Sequence, residues 1–237
     1  MPKKPFKFPV AATCMMIIGV MILCALGTWQ LYRLAWKQDI LSHLDAAYAA
    51  ADNSALPLDV LRAGEVSFAY GTLAGDLLVD RSFLLGPRVF NKEIGYSLMI
   101  PLRVDRGEVV VVNMGWTDQA LADVQSQFHD VQTVSITGLA RQPYWNSFTP
   151  VNQPDQDQWY RPDLQEIALA KGLDDVLGYI VYASDLSGVS VAGFPRNERW
   201  EPKNNHAQYA AFWFAMAIVL IGVYYVRFFV AGKSDGY

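Results

Sequence analysis

Residues 8–32 read FPVAATCMMIIGVMILCALGTWQLY and residues 206–226 read HAQYAAFWFAMAIVLIGVYYV. Neither stretch holds an Asp, Glu, Lys or Arg. A helix needs about 20 apolar residues to cross the hydrocarbon core of a bilayer, and each stretch is long enough. Together they predict a membrane hairpin with everything between them on one side. The expected order is a tail at 1–7, a first transmembrane helix at 8–32, a β-rich domain with an N-terminal helical extension at 33–205, a second transmembrane helix at 206–226, and a tail at 227–237.

Charge is divided along the same lines. Of the 23 acidic residues only Asp235 lies outside the central domain, whereas Lys3, Lys4, Lys7, Arg227 and Lys233 make the tails basic. An acidic domain lacks the Lys and Arg that phosphate contacts need, so a nucleic-acid partner is not expected. The basic tails follow the positive-inside tendency, which puts both termini in the cytoplasm and the domain outside; Arg33, Lys37, Arg199 and Lys203, at the domain's own ends, pull the other way. Cys14 and Cys24 are the two cysteines, both in the first span. Ten residues of helix separate them by ~15 Å of rise, too far for a disulfide. A cysteine-free domain excludes zinc fingers, iron–sulfur ligation and C-x-x-C redox chemistry there. The first span is expected to be retained. It outruns a signal-peptide core, no A-x-A follows it, and Leu23 precedes Cys24 where a lipoprotein signal wants a small residue. The apolar run begins almost at the start of the chain, which favours a bacterial inner (plasma) membrane, multi-pass, over an imported organellar protein.

Past Arg33 the apolar residues Leu34, Leu41, Leu44 and Tyr48 recur at helical spacing, predicting an extension of the first helix to about Ala51, with Asp52, Asn53 and Pro57 breaking it. From Val66 the pattern turns to short runs of β-formers: 66–73, 82–85, 96–104, 109–114, 133–139 and 179–183. Arg106-Gly107 sits where a turn joins the third run to the fourth. Asp163 with Glu166 three residues on reads as a capping box, and Gly172 as the stop of one inserted helix. Residues 143–162 read as an ordered loop. The expected class is a membrane α+β protein: two transmembrane helices flanking one mainly antiparallel β domain, barrel or sandwich, with an inserted helix. Trp116, Trp145, Phe148 and Trp159 read as that domain's core and covering loop rather than as an aromatic pocket.

Enzyme signatures are missing: there is no G-x-S-x-G, G-x-G-x-x-G, Walker loop or H-E-x-x-H. His43 and His129 are isolated and read as solvated surface histidines. His206 differs in position, since it opens the second span. Trp213 lies two turns on and on the same face. Ala207, Ala211 and Ala215 form a small-residue row suited to helix packing. Trp29, Gln30, Tyr32 and Arg33 lie at the same depth on the first helix. An imidazole there can bind the metal of a flat, carboxylate-bearing ligand such as haem, with aromatics along its faces and Arg33 on its carboxylates. Spacing alone supports the plainer alternative better, in which His206 opens the helix within an interfacial aromatic belt.

The residues also carry a resemblance. The first helix ends Leu26-Gly27-Thr28-Trp29-Gln30-Leu31-Tyr32-Arg33. The domain holds Gly95-Tyr96, Pro101-Leu102, Asn113-Met114-Gly115-Trp116, Gly138 with Arg141, Phe148-Thr149-Pro150-Val151-Asn152 with Pro154, Trp159-Tyr160 before Asp163, and Gly193-Phe194-Pro195. The second helix opens Asn204-Asn205-His206-Ala207-Gln208-Tyr209-Ala210. In this order, over nearly the whole chain, they resemble the surfeit-locus-one family of cytochrome oxidase assembly factors. Met114 stands where that family usually has Arg, a departure expected to alter a surface contact with the oxidase.

The resemblance implies a non-enzymatic assembly factor of haem–copper cytochrome c oxidase. It implies transient binding of haem a, with His206 as ligand to the haem iron, and as partners the catalytic subunit of the oxidase, the haem a synthesis machinery and membrane lipids. Trp29, Arg33, Gln208, Tyr209 and Trp213 complete the expected pocket. Two other expectations stand beside this one: a cofactor-free membrane scaffold that steadies an oxidase assembly intermediate, and a membrane-anchored envelope enzyme acting through the β domain.

Overall fold

The computed structural model describes residues 9–50, 54–128, 133–187 and 197–230. The expected tail at 1–7, residues 231–237 of the expected tail at 227–237, the helix breakers Asp52 and Asn53, His129, and Gly193-Phe194-Pro195 lie outside the described residues. The chain divides into two units, Met1–Ser42 with Glu201–Tyr237, and His43–Trp200.

The first unit is a helical hairpin. Helix α1 runs Val10–Ala49, its last turns belonging to the second unit, and helix α5 runs His206–Tyr225 before a π-helical turn at Val226–Val230. Both are long and apolar enough to cross a membrane. They pair antiparallel: Thr13 meets Tyr224 through their hydroxyls at 2.5 Å, a Cβ added to Gly19 would touch Leu220, and one added to Gly27 would touch the Phe214 ring. Lipid is as apolar as leucine, so hydrophobicity does not press the helices together; close packing of small residues and hydrogen bonds do. The buried small residues of α5 are Ala210 and Ala217. The expected row Ala207, Ala211 and Ala215 is exposed. In place of that row the seam runs through Ala210 and Ala217 on one helix and the glycines on the other.

The second unit is a barrel. Its strands are β1 Phe68–Leu77, β2 Phe83–Phe90, β3 Glu93–Val104, β4 Val109–Thr117, β5 Thr133–Arg141 and β6 Val176–Ser187, in the order β1-β5-β6-β4-β3-β2. Every pairing is antiparallel except β4 with β6. β1 also pairs with β3 through Gly75↔Val104, Asp76↔Arg103 and Leu77↔Leu102. That pairing joins β1, β5, β6, β4 and β3 into a closed ring, with β2 added on the other half of β3. Each expected run falls on one of the six strands, the runs at 66–73 and 82–85 beginning ahead of Phe68 and Phe83 and the other four lying wholly within theirs, and Gly107, at φ 92, makes the turn between β3 and β4.

Alternation explains the core. On β1 the residues Ala69, Leu73 and Leu77 face inward, joined by Ile100, Leu102, Val110, Val112, Val134, Ile136 and Val181. β4 is buried on both faces, which is why it reads as a continuous run of valines. Its outward Val111 packs with Phe83, Leu85, Met99, Trp159, Leu164, Ile167 and Ile180 in a second core. Met114 lies in the barrel core, 5% exposed. The residue at the family's arginine position is therefore interior here, and the expected surface contact is corrected: β4 turns it inward in step with Val110 and Val112.

Three short helices decorate the barrel: α2 Leu58–Ala63, α3 Leu121–Gln127 and α4 Leu164–Lys171. α4 is the one expected from sequence. Asp163 Oδ1 accepts from the backbone N–H groups of Gln165 and Glu166, and Gly172 ends the helix at φ 62. The box is only half used, because Glu166 accepts from Asn152 Nδ2 at 2.6 Å. Asn152 organises the loop at 143–162. Its Oδ1 accepts from the N–H groups of Tyr160 and Arg161 at 2.8 Å each, and its Nδ2 also donates to the Arg161 carbonyl. Arg161 in turn donates twice to the Thr149 carbonyl. Trp159 is buried against Phe83, but Trp145 is exposed and Phe148 is 94% exposed. The aromatic set is thus not one core: Trp159 fills the second core, Trp116 stacks near Phe90, and Phe148 points to solvent.

Asn152→Ala strands two backbone donors and a carboxylate partner, so it is expected to destabilise the domain by about 2–3 kcal/mol. Thermal unfolding and limited proteolysis within 143–162 check this; a wild-type melting temperature overturns it.

Candidate functional site

Helix geometry decides which side chains meet at the start of α5. His206 is its first residue, and Gln30 lies on the buried face of α1. His206 Nδ1 and Gln30 Oε1 are 2.7 Å apart. With the amide oxygen as acceptor, Nδ1 carries the proton and Nε2 keeps its lone pair. No hydrogen-bond partner meets Nε2 among the described residues. Metal-binding imidazoles ordinarily have one nitrogen held by such a second group while the other faces the metal. Two residues before His206, the side-chain oxygen of Asn204 is buried and without a hydrogen-bond partner.

The expected pocket residues fall on different faces. Arg33 is one turn from Gln30 on α1, and its guanidinium lies over the Trp36 ring at 4.0 Å. Trp213 shares the face of His206 and is half-buried, its ring edge-on to Phe212. Trp29 and Tyr209, each 54% exposed, lie on outer faces. Gln208 is exposed and turned about 200° from His206 around α5. The hairpin thus joins Gln30 to His206, with Trp213 half-buried on the same face of α5 and Arg33 stacked on Trp36 one turn along α1, and leaves Trp29, Gln208 and Tyr209 exposed. Gln30, at the right depth in the sequence, has the direct contact; an amide at one helix end facing a histidine at another was the available signal. His43 is exposed, and the described residues hold no cluster of three or more His, Cys, Asp or Glu able to bind a metal.

The seam depends on Gly27, one turn before Gln30. A Cβ there would stand 2.7 Å from Phe214 Cζ. Gly27→Leu is therefore expected to spread the hairpin. In a Cys14→Ser, Cys24→Ser background, cysteines placed at Thr13 and Tyr224 should be bridged by a bifunctional maleimide long enough to replace the tyrosine ring, and Gly27→Leu should cut the yield about tenfold. An unchanged yield overturns the packing described.

Two apolar helices with one β-barrel domain inserted between them, and a histidine opening the second helix, define a two-span membrane protein built around a single domain. The chain belongs to the SURF1 family, whose profile matches residues 17–218. It is 28% identical over 218 residues to a SURF1-like protein of Rickettsia conorii, covering 90% of this chain and 89% of that one. It is 24% identical over 251 residues to a SURF1-like protein of Caenorhabditis elegans, covering 95% and 76%. With Surfeit locus protein 1 of Mus musculus the identity is 23% over 225 residues, covering 86% and 71%.

Proposed function

We propose that this protein assists assembly of a haem–copper cytochrome c oxidase by holding haem a until the catalytic subunit takes it. Membership of the SURF1 family supports the assembly role in general. The observation that carries the haem reading is the His206–Gln30 pair, which aims a free imidazole nitrogen from a fixed ring. The residues present suit the group: His206 Nε2 for the iron, Arg33 for a carboxylate, Trp213 against the ring, and the unpartnered Asn204 oxygen as an acceptor. A single protein ligand gives a modest site, which suits a carrier that must release its cargo. The protein's part is holding rather than bond chemistry. On this reading both termini are cytoplasmic, the barrel is on the periplasmic face of a bacterial inner membrane, and the working partners are the oxidase catalytic subunit and the haem a synthesis machinery.

The test is the absorption spectrum of protein purified in detergent from cells making haem a. A Soret band that co-purifies with the chain supports the proposal. Its absence, with oxidase subunits still co-purifying, replaces it with a cofactor-free scaffold. Function of residues 43–200 without either helix replaces it with an envelope enzyme.

A further inference from the structure

We propose that a cavity in the barrel domain, separate from His206 and its neighbours, binds an anionic oxygen group, a phosphate or a carboxylate, on the guanidinium edge of Arg141. The cavity measures about 570 Å³, within the range of small-ligand sites, and Tyr48, Tyr70, Arg141, Tyr182 and Trp200 are among the residues that line it. Arg141 is the last residue of β5. Its guanidinium carbon stands 3.9 Å from the Tyr182 ring centre and 4.6 Å from that of Trp200. Two rings fix the plane of the group and leave its N–H donors at the edge, in the fork that fits two oxygens of one anion.

No acceptor among the described residues meets that fork. Three other arginines of the domain show what a structural arginine looks like here. Arg62 has Glu108 and Asp175, Arg161 has the Thr149 carbonyl, and Arg199, which also lines the cavity, has Asp45 at 2.7 Å while stacking on Tyr48. Arg141 is held as firmly as these, but by rings alone. A half-buried cation kept from its acceptors is costly unless an anion completes it.

The surrounding walls are already fixed. Asn197 Nδ2 donates to the carbonyls of Asn113 and Ala183 at 2.9 and 3.1 Å, and the Tyr70 and Ser184 hydroxyls are 2.9 Å apart. Tyr48 Oη accepts from the Trp200 N–H, leaving the phenol proton free to donate. Tyr48 lies beyond the apolar stretch of α1, and burial raises its pKa, so it remains a neutral donor. Glu198 is the acid on the cavity's rim, and it is exposed.

Calorimetric titration of the full-length protein in detergent tests this. The probes are inorganic phosphate, succinate, and short-chain phosphatidylglycerol set against phosphatidylcholine. Saturable binding of phosphate or succinate assigns the site to a free anion. Saturation by phosphatidylglycerol, with none by phosphatidylcholine or the free anions, assigns it to a lipid headgroup. In either case Arg141→Gln should weaken binding about tenfold or more. Arg141→Lys, which keeps the charge and loses the fork, should shift affinity in the same direction and serves if the glutamine variant does not fold. Arg106→Gln, at an exposed pair with Asp59, should leave binding unchanged. Failure of every probe to saturate, or wild-type affinity in a folded Arg141 variant, overturns the proposal. None of these outcomes bears on haem at His206.

Discussion

His206→Ala is expected to remove the Soret band from protein purified out of haem a-producing cells, while the chain still folds and inserts. Of Gln30, Arg33, Trp213 and His206, the imidazole is the haem-iron ligand, so its loss takes the coordinate bond and leaves only contacts of the porphyrin faces and carboxylates. Gln30→Leu isolates the second element. It keeps the imidazole but frees Nδ1, so the ring loses its fixed tautomer and direction; losing such an outer partner costs about 10–100-fold in metal affinity. The expected order of haem retention is wild type, then Gln30→Leu, then His206→Ala. Gln208→Ala, on the far side of α5, should match wild type. Haem content per chain, read by absorbance against protein concentration, ranks them. Stoichiometric haem with an unshifted spectrum in His206→Ala sinks the ligand assignment. A Gln208→Ala loss as large as that of Gln30→Leu means the ligand approaches α5 from another face.

What sequence conveyed and what it hid divides along physical lines. The six strands were legible because alternation and β-branched runs follow from burying one face of a strand, or both faces in β4. α4 was legible because Asp163 and Gly172 mark its ends by side-chain and backbone chemistry that leaves a local signature. α2 and α3 have six and seven residues, no side-chain caps, and too few turns to show a period. The helix seam was misplaced for a different reason. In a membrane helix every face is apolar, so a row of alanines at 207, 211 and 215 looks like packing whether it meets a helix or lipid. Aromatic residues mislead similarly: composition counts Phe148 and Trp159 alike, and only the loop tied by Asn152 turns one in and the other out. The choice between barrel and sandwich stayed open because ring closure rests on three residue pairs between β1 and β3, strands that are not consecutive in the chain.

That closure makes Gly75 the position of largest expected effect on stability. Gly75 pairs on one side with Val134 of β5 and on the other with Val104 of β3. A Cβ built there would lie 2.3 Å from the Arg103 carbonyl oxygen, 2.9 Å from its carbonyl carbon and 3.1 Å from Val104 Cα. All three are backbone atoms, so no rotamer change can relieve the contact; β3 itself must move away. Moving it breaks the pairing that joins the ends of the ring and opens the inner core at Leu77 and Leu102 to water. Gly75→Ala is therefore expected to cost about 3 kcal/mol or more, at the upper end of what added volume does in a packed interior. Gly178→Ala, elsewhere in the same barrel, is the matched control, because a Cβ there meets nothing within 4 Å. It should be neutral or slightly stabilising, as for a glycine whose conformation alanine can adopt. Denaturant or thermal unfolding of the two variants, followed by tryptophan fluorescence, measures the difference. Equal unfolding midpoints would mean that β1 and β3 do not close against each other in solution, and that the domain is an open sheet.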